Sequence, residues 1–185
     1  MKKIIVCLLF LQLIGCATTT QSSTNAAGSS SNSSTNNSDS FFADQSLSVS
    51  ITQILNTTFP AANINVEVDK SLVLLTGEAG NQDTKNRAGV IVMKQPGVSS
   101  VYNYIEITHN ISADQVANDI MITSKVKTKM LLEKGLPSTD IKVVTTNGVV
   151  YLMGRVSPYI GSQAASVAST VPDVKKVITV FQYNQ

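Results

Sequence analysis

Residues 141–156 read IKVVTTNGVVYLMGRV, and residues 64–79 read INVEVDKSLVLLTGEA. Shifted by 77 positions, the two stretches coincide in character: Ile64 with Ile141, Val66 with Val143, Leu72 with Val149, Leu75 with Leu152, Gly77 with Gly154 and Ala79 with Val156. In the later copy Asn147-Gly148 stands between two β-rich runs, the strongest short signal for a hairpin because both turn residues tolerate positive φ. The earlier copy carries Asp69-Lys70-Ser71 at that place. One fold is written twice, and each copy is centred on a hairpin.

Upstream of the hairpins, an offset of 75 aligns Asp44 with Asp119, Leu47 with Ile122, Ile51 with Val126 and Leu55 with Met130. The apolar members fall at i, i+4 and i+8, so each copy opens with an amphipathic helix. Downstream, Ser157-Pro158 reads as an N-cap followed by proline at the first helical position, and Ile160, Ala164, Val167 and Ala168 form a face that Pro172 ends. The counterpart helix starts at Asn81 and is closed by Pro96. A last strand completes each copy, Val98 to Thr108 and Val174 to Tyr183, parallel to the strand before the second helix. The expected fold is α+β, with two tandem units of order αββαβ, each placing two helices on one face of a three-stranded mixed sheet. Units of about 70 residues have marginal cores, so contact between the copies is expected to add stability.

The chain opens MKKIIVCLLFLQLIGC. Two lysines, an apolar run from Ile4 to Ile14 broken only by Gln12, and a small residue, Gly15, are the features of a secretory signal peptide over residues 1–15. A run this short falls below the roughly 20 residues needed to span a bilayer. Residues 17–40 are nearly all Ser, Thr, Asn, Ala and Gly, so residues 16–40 are expected to form a flexible linker behind Cys16. The repeats then occupy 41–109 and 110–185.

Charge narrows the function. The chain has 14 basic and 12 acidic residues, and losing Lys2 and Lys3 with residues 1–15 leaves 12 of each. A neutral protein lacks the broad basic footprint of a general nucleic-acid binder, so no nucleic acid is expected as a partner. Loss of Cys7 with residues 1–15 would leave Cys16 as a single cysteine, with no thiol pair for a disulfide. No nucleophile, acid–base pair or metal cluster emerges, and the sole histidine, His109, stands where the copies join, so neither catalysis nor a metal is expected. Asp114 and Asp119 read as capping and dipole residues near a helix start.

The lysines are unevenly placed. Residues 41–109 carry four basic and six acidic side chains, whereas 110–185 carry eight and five. Lys125, Lys127, Lys129 and Lys134 fall in DIMITSKVKTKMLLEKG, the expected first helix of the second copy. With Ile122, Val126 and Met130 facing the core, Ile120, Lys127 and Leu131 point the opposite way, and Met121, Lys125 and Leu132 lie along one flank. Lysines mixed with apolar residues off the core stripe suit a shallow contact with anionic lipid. The competing use of the same residues is a solvated lysine face with Met121, Leu131 and Leu132 packed on the other unit.

Each copy resembles a BON domain, whose most recognisable position is the glycine after the hairpin's second strand, held here by Gly77 and Gly154. Leu13, Ile14, Gly15 and Cys16 resemble the lipobox of bacterial lipoproteins. Together they resemble the dual BON-domain outer-membrane lipoproteins of the DolP type, related to periplasmic proteins of the OsmY type. The resemblance implies that Cys16 carries a diacylglycerol and an N-acyl chain, with no other cofactor, and that the protein is anchored in the outer membrane facing the periplasm. Ala17, in place of a retention aspartate, agrees with that sorting. It further implies a non-catalytic protein that supports envelope integrity and binds anionic phospholipid such as phosphatidylglycerol through the second domain, with Lys125, Lys127 and Lys129 at headgroups and Ile120 and Met121 inserted. Met121 stands where close family members can carry tryptophan; it keeps apolar volume without the indole's interfacial preference. The alternative is an adaptor for outer-membrane assembly or cell-wall remodelling proteins.

Overall fold

A computed structural model describes residues 35–108 and 112–183. His109 and Cys16 lie outside the described residues. From Thr35 onward the described residues form one compact unit with three hydrophobic clusters. Its elements run α1 (Thr35–Thr58), β1 (Asn63–Asp69), β2 (Leu72–Ala79), α2 (Gln82–Met93), β3 (Ser100–Asn103), β4 (Glu106–Ile107), α3 (Ala113–Leu132), β5 (Ile141–Thr146), β6 (Val149–Val156), α4 (Pro158–Ser169) and β7 (Lys176–Tyr183), with a short 3-10 turn at Ser138–Asp140.

Local chemistry sets these boundaries. The Thr84 N–H donates to Asn81 Oδ1 at the start of α2, the Gln115 N–H to Ser112 Oγ at α3, and the Ile160 N–H to Ser157 Oγ at α4, where Pro158 follows the cap. Both hairpins close on two residues with positive φ, Lys70 and Ser71 at 47° and 69° and Asn147 and Gly148 at 54° and 77°. Asp69 is therefore not a turn residue; it pairs with Leu72 as the last rung of the ladder. α1 begins at Thr35, inside the segment expected to be linker. Once Leu47, Ile51 and Leu55 dock on the sheet, propagating the helix backwards costs only the modest propensity deficit of Ser, Thr and Asn. At the other end of the basic helix, α3 stops at Leu132 with Glu133 as its cap, so Lys134 lies beyond the helix on which it was expected.

In each unit the middle strand is antiparallel to the first and parallel to the last. The expected strand 98–108 is split into β3 and β4, which keep one register along β2: Leu75 faces Asn103 and Glu78 faces Glu106. The gap falls opposite Thr76 and Gly77, where the backbone of β2 turns to a φ of +100°. Gly154 has the corresponding φ of +146° in β6. A side chain at Gly77 would collide with the carbonyl oxygen of Asn63, and one at Gly154 with that of Asp140, so the first residue of β1 and the residue just before β5 approach these glycines too closely for any other residue.

β2 is buried at every position. Val73 and Leu75 face α1 and α2 in one core, whereas Leu72 and Leu74 face the second unit, where Tyr151, Met153 and Val180 complete a separate cluster. In the second unit Val150, Leu152 and Phe181 face α3 and α4. The two sheets thus pack against each other through the faces their helices leave open, with the Tyr104 and Tyr151 rings 5.3 Å apart across the join. Polar contacts frame it: Lys142 meets Glu67 at 2.7 Å and donates to the Val68 carbonyl at 2.9 Å, and Thr146 donates to Thr76 Oγ1 at 3.1 Å. Asn147 Nδ2 reaches Glu106 at 2.7 Å.

Asp119 is not a helix-start residue. It is buried two turns inside α3, and its carboxylate accepts from the N–H groups of Asn147 and Gly148 at 2.8 Å each and from Gln115 Nε2 at 3.1 Å. Its repeat partner Asp44 accepts from the Lys70 N–H at 2.8 Å. The first helix of each unit therefore holds the hairpin turn by a carboxylate. Asp119→Ala should cost about 2–4 kcal/mol in urea unfolding, because two turn amides lose a charged acceptor in a buried place. Asp44→Ala, at an exposed turn with one such bond, should cost under about 1.5 kcal/mol; equal losses would refute the distinction.

Burial of Tyr151, with Glu106 and Tyr104 adding to it, pushes its hydroxyl from 10.0 up to about 12. Ionisation is therefore easier in the unfolded chain, so the contribution of this residue is complete below pH 10 and is lost as pH rises toward 12. Calorimetry across that window should show a steeper fall of Tm for the wild type than for Tyr151→Phe.

Candidate functional site

α3 presents two faces. Ile122, Val126 and Met130 are fully buried against β5 and α4. Away from them, Ile120, Met121, Leu131 and Leu132 are 64%, 54%, 70% and 76% exposed. The two apolar pairs are eleven residues apart, which is three turns plus about 20°, so they share one side of the helix roughly 16 Å apart along its axis. Ala117, Ser124 and Thr128 lie between and beside them, none large enough to hold the helix off a flat surface. None of the apolar four is buried against the first unit, although Ile120 borders a cleft that Asn63 and Asn65 also line.

The lysines are not equivalent. Lys125 Nζ lies 3.3 Å from Asp173, and Lys129 Nζ donates to Thr170 Oγ1 at 2.7 Å and to its carbonyl at 3.3 Å. Both therefore lean toward the end of α4. Lys127, on the side of Ile120 and Leu131, has no ion pair or hydrogen bond among the described residues. Exposed pairs such as Lys125 with Asp173 stabilise by well under about 1 kcal/mol, so Lys125 and Lys129 are readily released to another anion.

The duplicated helix is an internal reference. At the positions of Ile120, Met121, Leu131 and Leu132, α1 carries Gln45, Ser46, Asn56 and Thr57, and at those of Lys125 and Lys127 it carries Ser50 and Thr52. The shared fold therefore does not require the apolar and basic residues of α3. Beside Lys127, Asn63 and Asn65 of β1 line a cleft with α3. Nothing in the sequence signalled these two, because their approach to α3 depends on how the sheets pack.

Among the described residues no helix is long and apolar enough to cross a membrane, and no group of three His, Cys, Asp or Glu could hold a metal ion. The chain is 40% identical to outer membrane lipoprotein DolP of Haemophilus influenzae over 60% of its length and 58% of the relative's. It is 37% identical to a 21 kDa hemolysin of Actinobacillus pleuropneumoniae over 67% of this chain and 64% of that one. With osmotically-inducible protein Y of Escherichia coli it shares 30% identity over 75% of this chain and 71% of the relative. The first two matches thus span about six-tenths of those relatives. Residues 43–109 and 118–185 each match the BON domain, and these two segments contain both hairpins, the tightly approached Gly77 and Gly154 and the whole sheet-to-sheet contact: the chain belongs to the BON-domain family and carries the domain twice.

Proposed function

We propose that this protein is a non-catalytic lipoprotein of the outer membrane, held at the periplasmic face by acyl chains on Cys16, and that α3 lays its exposed face on anionic phospholipid to support envelope integrity. The observation that carries the reading is the divergence of α3 from α1. Two helices in equivalent places bury equivalent core residues, yet at four matched positions only α3 exposes large apolar side chains, and it sets them among lysines; the apolar residues that α1 exposes, Phe41, Phe42 and Val49, have no lysine on their helix. Water penalises that exposure, and a membrane interface rewards it.

The contact is shallow by construction. Ile120 with Met121, and Leu131 with Leu132, would enter the acyl boundary at the two ends of the helix, while Lys127 and the releasable Lys125 and Lys129 meet phosphates between them. A polybasic surface gains about 1 kcal/mol per lysine near an anionic leaflet, an attraction that salt screens. Domain limits at 41–109 and 110–185 belong to the same proposal. The naming of a relative as an outer membrane lipoprotein supports the location.

Vesicle sedimentation of residues 17–185, which lack the acylated cysteine but retain the compact unit, tests the reading. Binding to vesicles of mixed phosphatidylcholine and phosphatidylglycerol should weaken about fivefold for Lys127→Gln, and further with Lys125→Gln and Lys129→Gln added. Leu131→Ser with Leu132→Ser should weaken it at high salt as well. The proposal is overturned if the wild type does not sediment with these vesicles or if the triple glutamine variant sediments equally well. Crosslinking to one defined envelope protein in the absence of lipid binding would favour an adaptor.

A further inference from the structure

The cleft beside α3 has a volume of about 400 Å³ and is shared between the two units: Thr123 and Lys127 come from α3, Thr145 from β5, and Asn63 and Asn65 from the outer strand of the first sheet. Ile120 also lines it, so the cleft adjoins the apolar face described above. Its polar inventory is unusual for a site next to lysine. Asp119 is the sole carboxylate among its described lining residues, and both of its oxygens are occupied by the turn amides and Gln115. What remains is one cation, Lys127, with hydroxyls and amides. Asn65 has no side-chain hydrogen bond among the described residues, and Asn63 gives its Nδ2 to Glu78 while its Oδ1 stays available.

The duplication supplies a contrast. A cleft of about 490 Å³ lies between α1, β1 and the start of β5, in the equivalent place with the units exchanged. By the offset of 77, Asp140 stands there for Asn63, Lys142 for Asn65, and Asp69 for Thr146. That copy is lined by four carboxylates, Asp44, Glu67, Asp69 and Asp140, and by two lysines, Lys70 and Lys142, the latter paired with Glu67. The α3 copy has amides and a hydroxyl at the same positions. Uncharged groups that both donate and accept suit alcohol hydroxyls, and a single free lysine suits one phosphodiester charge. An ammonium group would find no free carboxylate in this cleft.

Resting on the reading of α3 as the lipid-binding helix, we propose that this cleft seats the headgroup of a phospholipid whose phosphate bears an uncharged, hydroxylated alcohol. Lys127 meets the phosphate, Asn65 and the Asn63 carbonyl oxygen meet the hydroxyls, and Ile120 enters the acyl boundary alongside. The first domain is thereby part of lipid recognition: Asn63 and Asn65 are specificity-determining residues supplied to a helix of the second.

The test compares residues 17–185 on vesicles of equal charge containing phosphatidylglycerol or phosphatidylserine. The wild type should prefer phosphatidylglycerol. Asn65→Ala should weaken that binding roughly threefold to tenfold, the loss expected for one or two hydrogen bonds, and leave phosphatidylserine binding unchanged. Asn65→Leu, which places an apolar side chain in the cleft on an outer strand that tolerates it, should do the same. If both variants keep the wild-type preference, or lose binding to both lipids alike, the headgroup cleft is wrong while α3 stands as the membrane contact. Binding of the wild type to neither vesicle would overturn both.

Discussion

A three-stranded sheet with two helices has one face covered and one face open, and in this protein the central strands β2 and β6 are apolar on both. Leu72 and Leu74 alternate with Val73 and Leu75, and Tyr151 and Met153 with Val150 and Leu152. Neither unit can leave Leu74 or Met153 in water at a cost of about 2 kcal/mol each and remain stable at this size. Mutual burial of the two open faces is the constraint from which the rest follows. It puts β1 beside β5, brings Lys142 onto Glu67 and Val68, and carries Asn63 and Asn65 to the flank of α3. The outer faces, α1 with α2 and α3 with α4, are what remains for contact with anything else.

Duplication lets the fold's requirements be separated from the demands of function. What recurs in both copies is structural: the buried helix stripe, the carboxylate that holds the hairpin turn, and the glycine whose neighbouring carbonyl leaves no room for Cβ. What differs is free of those demands. α1 exposes Gln45, Ser46, Asn56 and Thr57, and α3 exposes Ile120, Met121, Leu131 and Leu132 in their places. A change from polar to apolar at four matched positions, with lysines beside them, is a stronger argument than exposure alone, since α1 also exposes Phe41, Phe42 and Val49 and scattered apolar residues are ordinary on protein surfaces.

Much of this was legible because the signals are local. Asn147-Gly148 dictates its own turn, Ser157-Pro158 its own cap, and the i, i+4, i+8 spacing the buried stripe of each first helix. From that stripe the outward direction of Ile120 and Leu131 follows geometrically. The rest depends on distant encounters. Asp119 reaches amides 28 and 29 residues away, which spacing along a helix cannot reveal. The β-rich runs around LVLL and VVYLM read as strands, but that they are buried on both faces is seen only once the two sheets are packed together. Engagement of Lys125 and Lys129 by Asp173 and Thr170, and the presence of Asn63 and Asn65 beside Lys127, exist only once α4 and the first sheet are in place.

The geometry also bears on how strong a lipid contact needs to be. With Cys16 acylated as proposed, residues 17–34 join the anchor to the first turn of α1. A Ser- and Thr-rich segment of that length, acting as the linker expected from its composition, would reach on the order of 25 Å. Tethering over such a distance gives effective concentrations in the millimolar range. A helix face with four apolar side chains and a few lysines therefore need not bind tightly to be engaged much of the time; a dissociation constant of similar magnitude is enough. On that proposal weak binding would have a physical advantage, because α3 could leave the bilayer and return without the anchor being released. Specificity for a headgroup, supplied by a cleft that both domains build, would then decide where along the membrane the folded unit spends its time, even though the acyl chains alone decide that it stays.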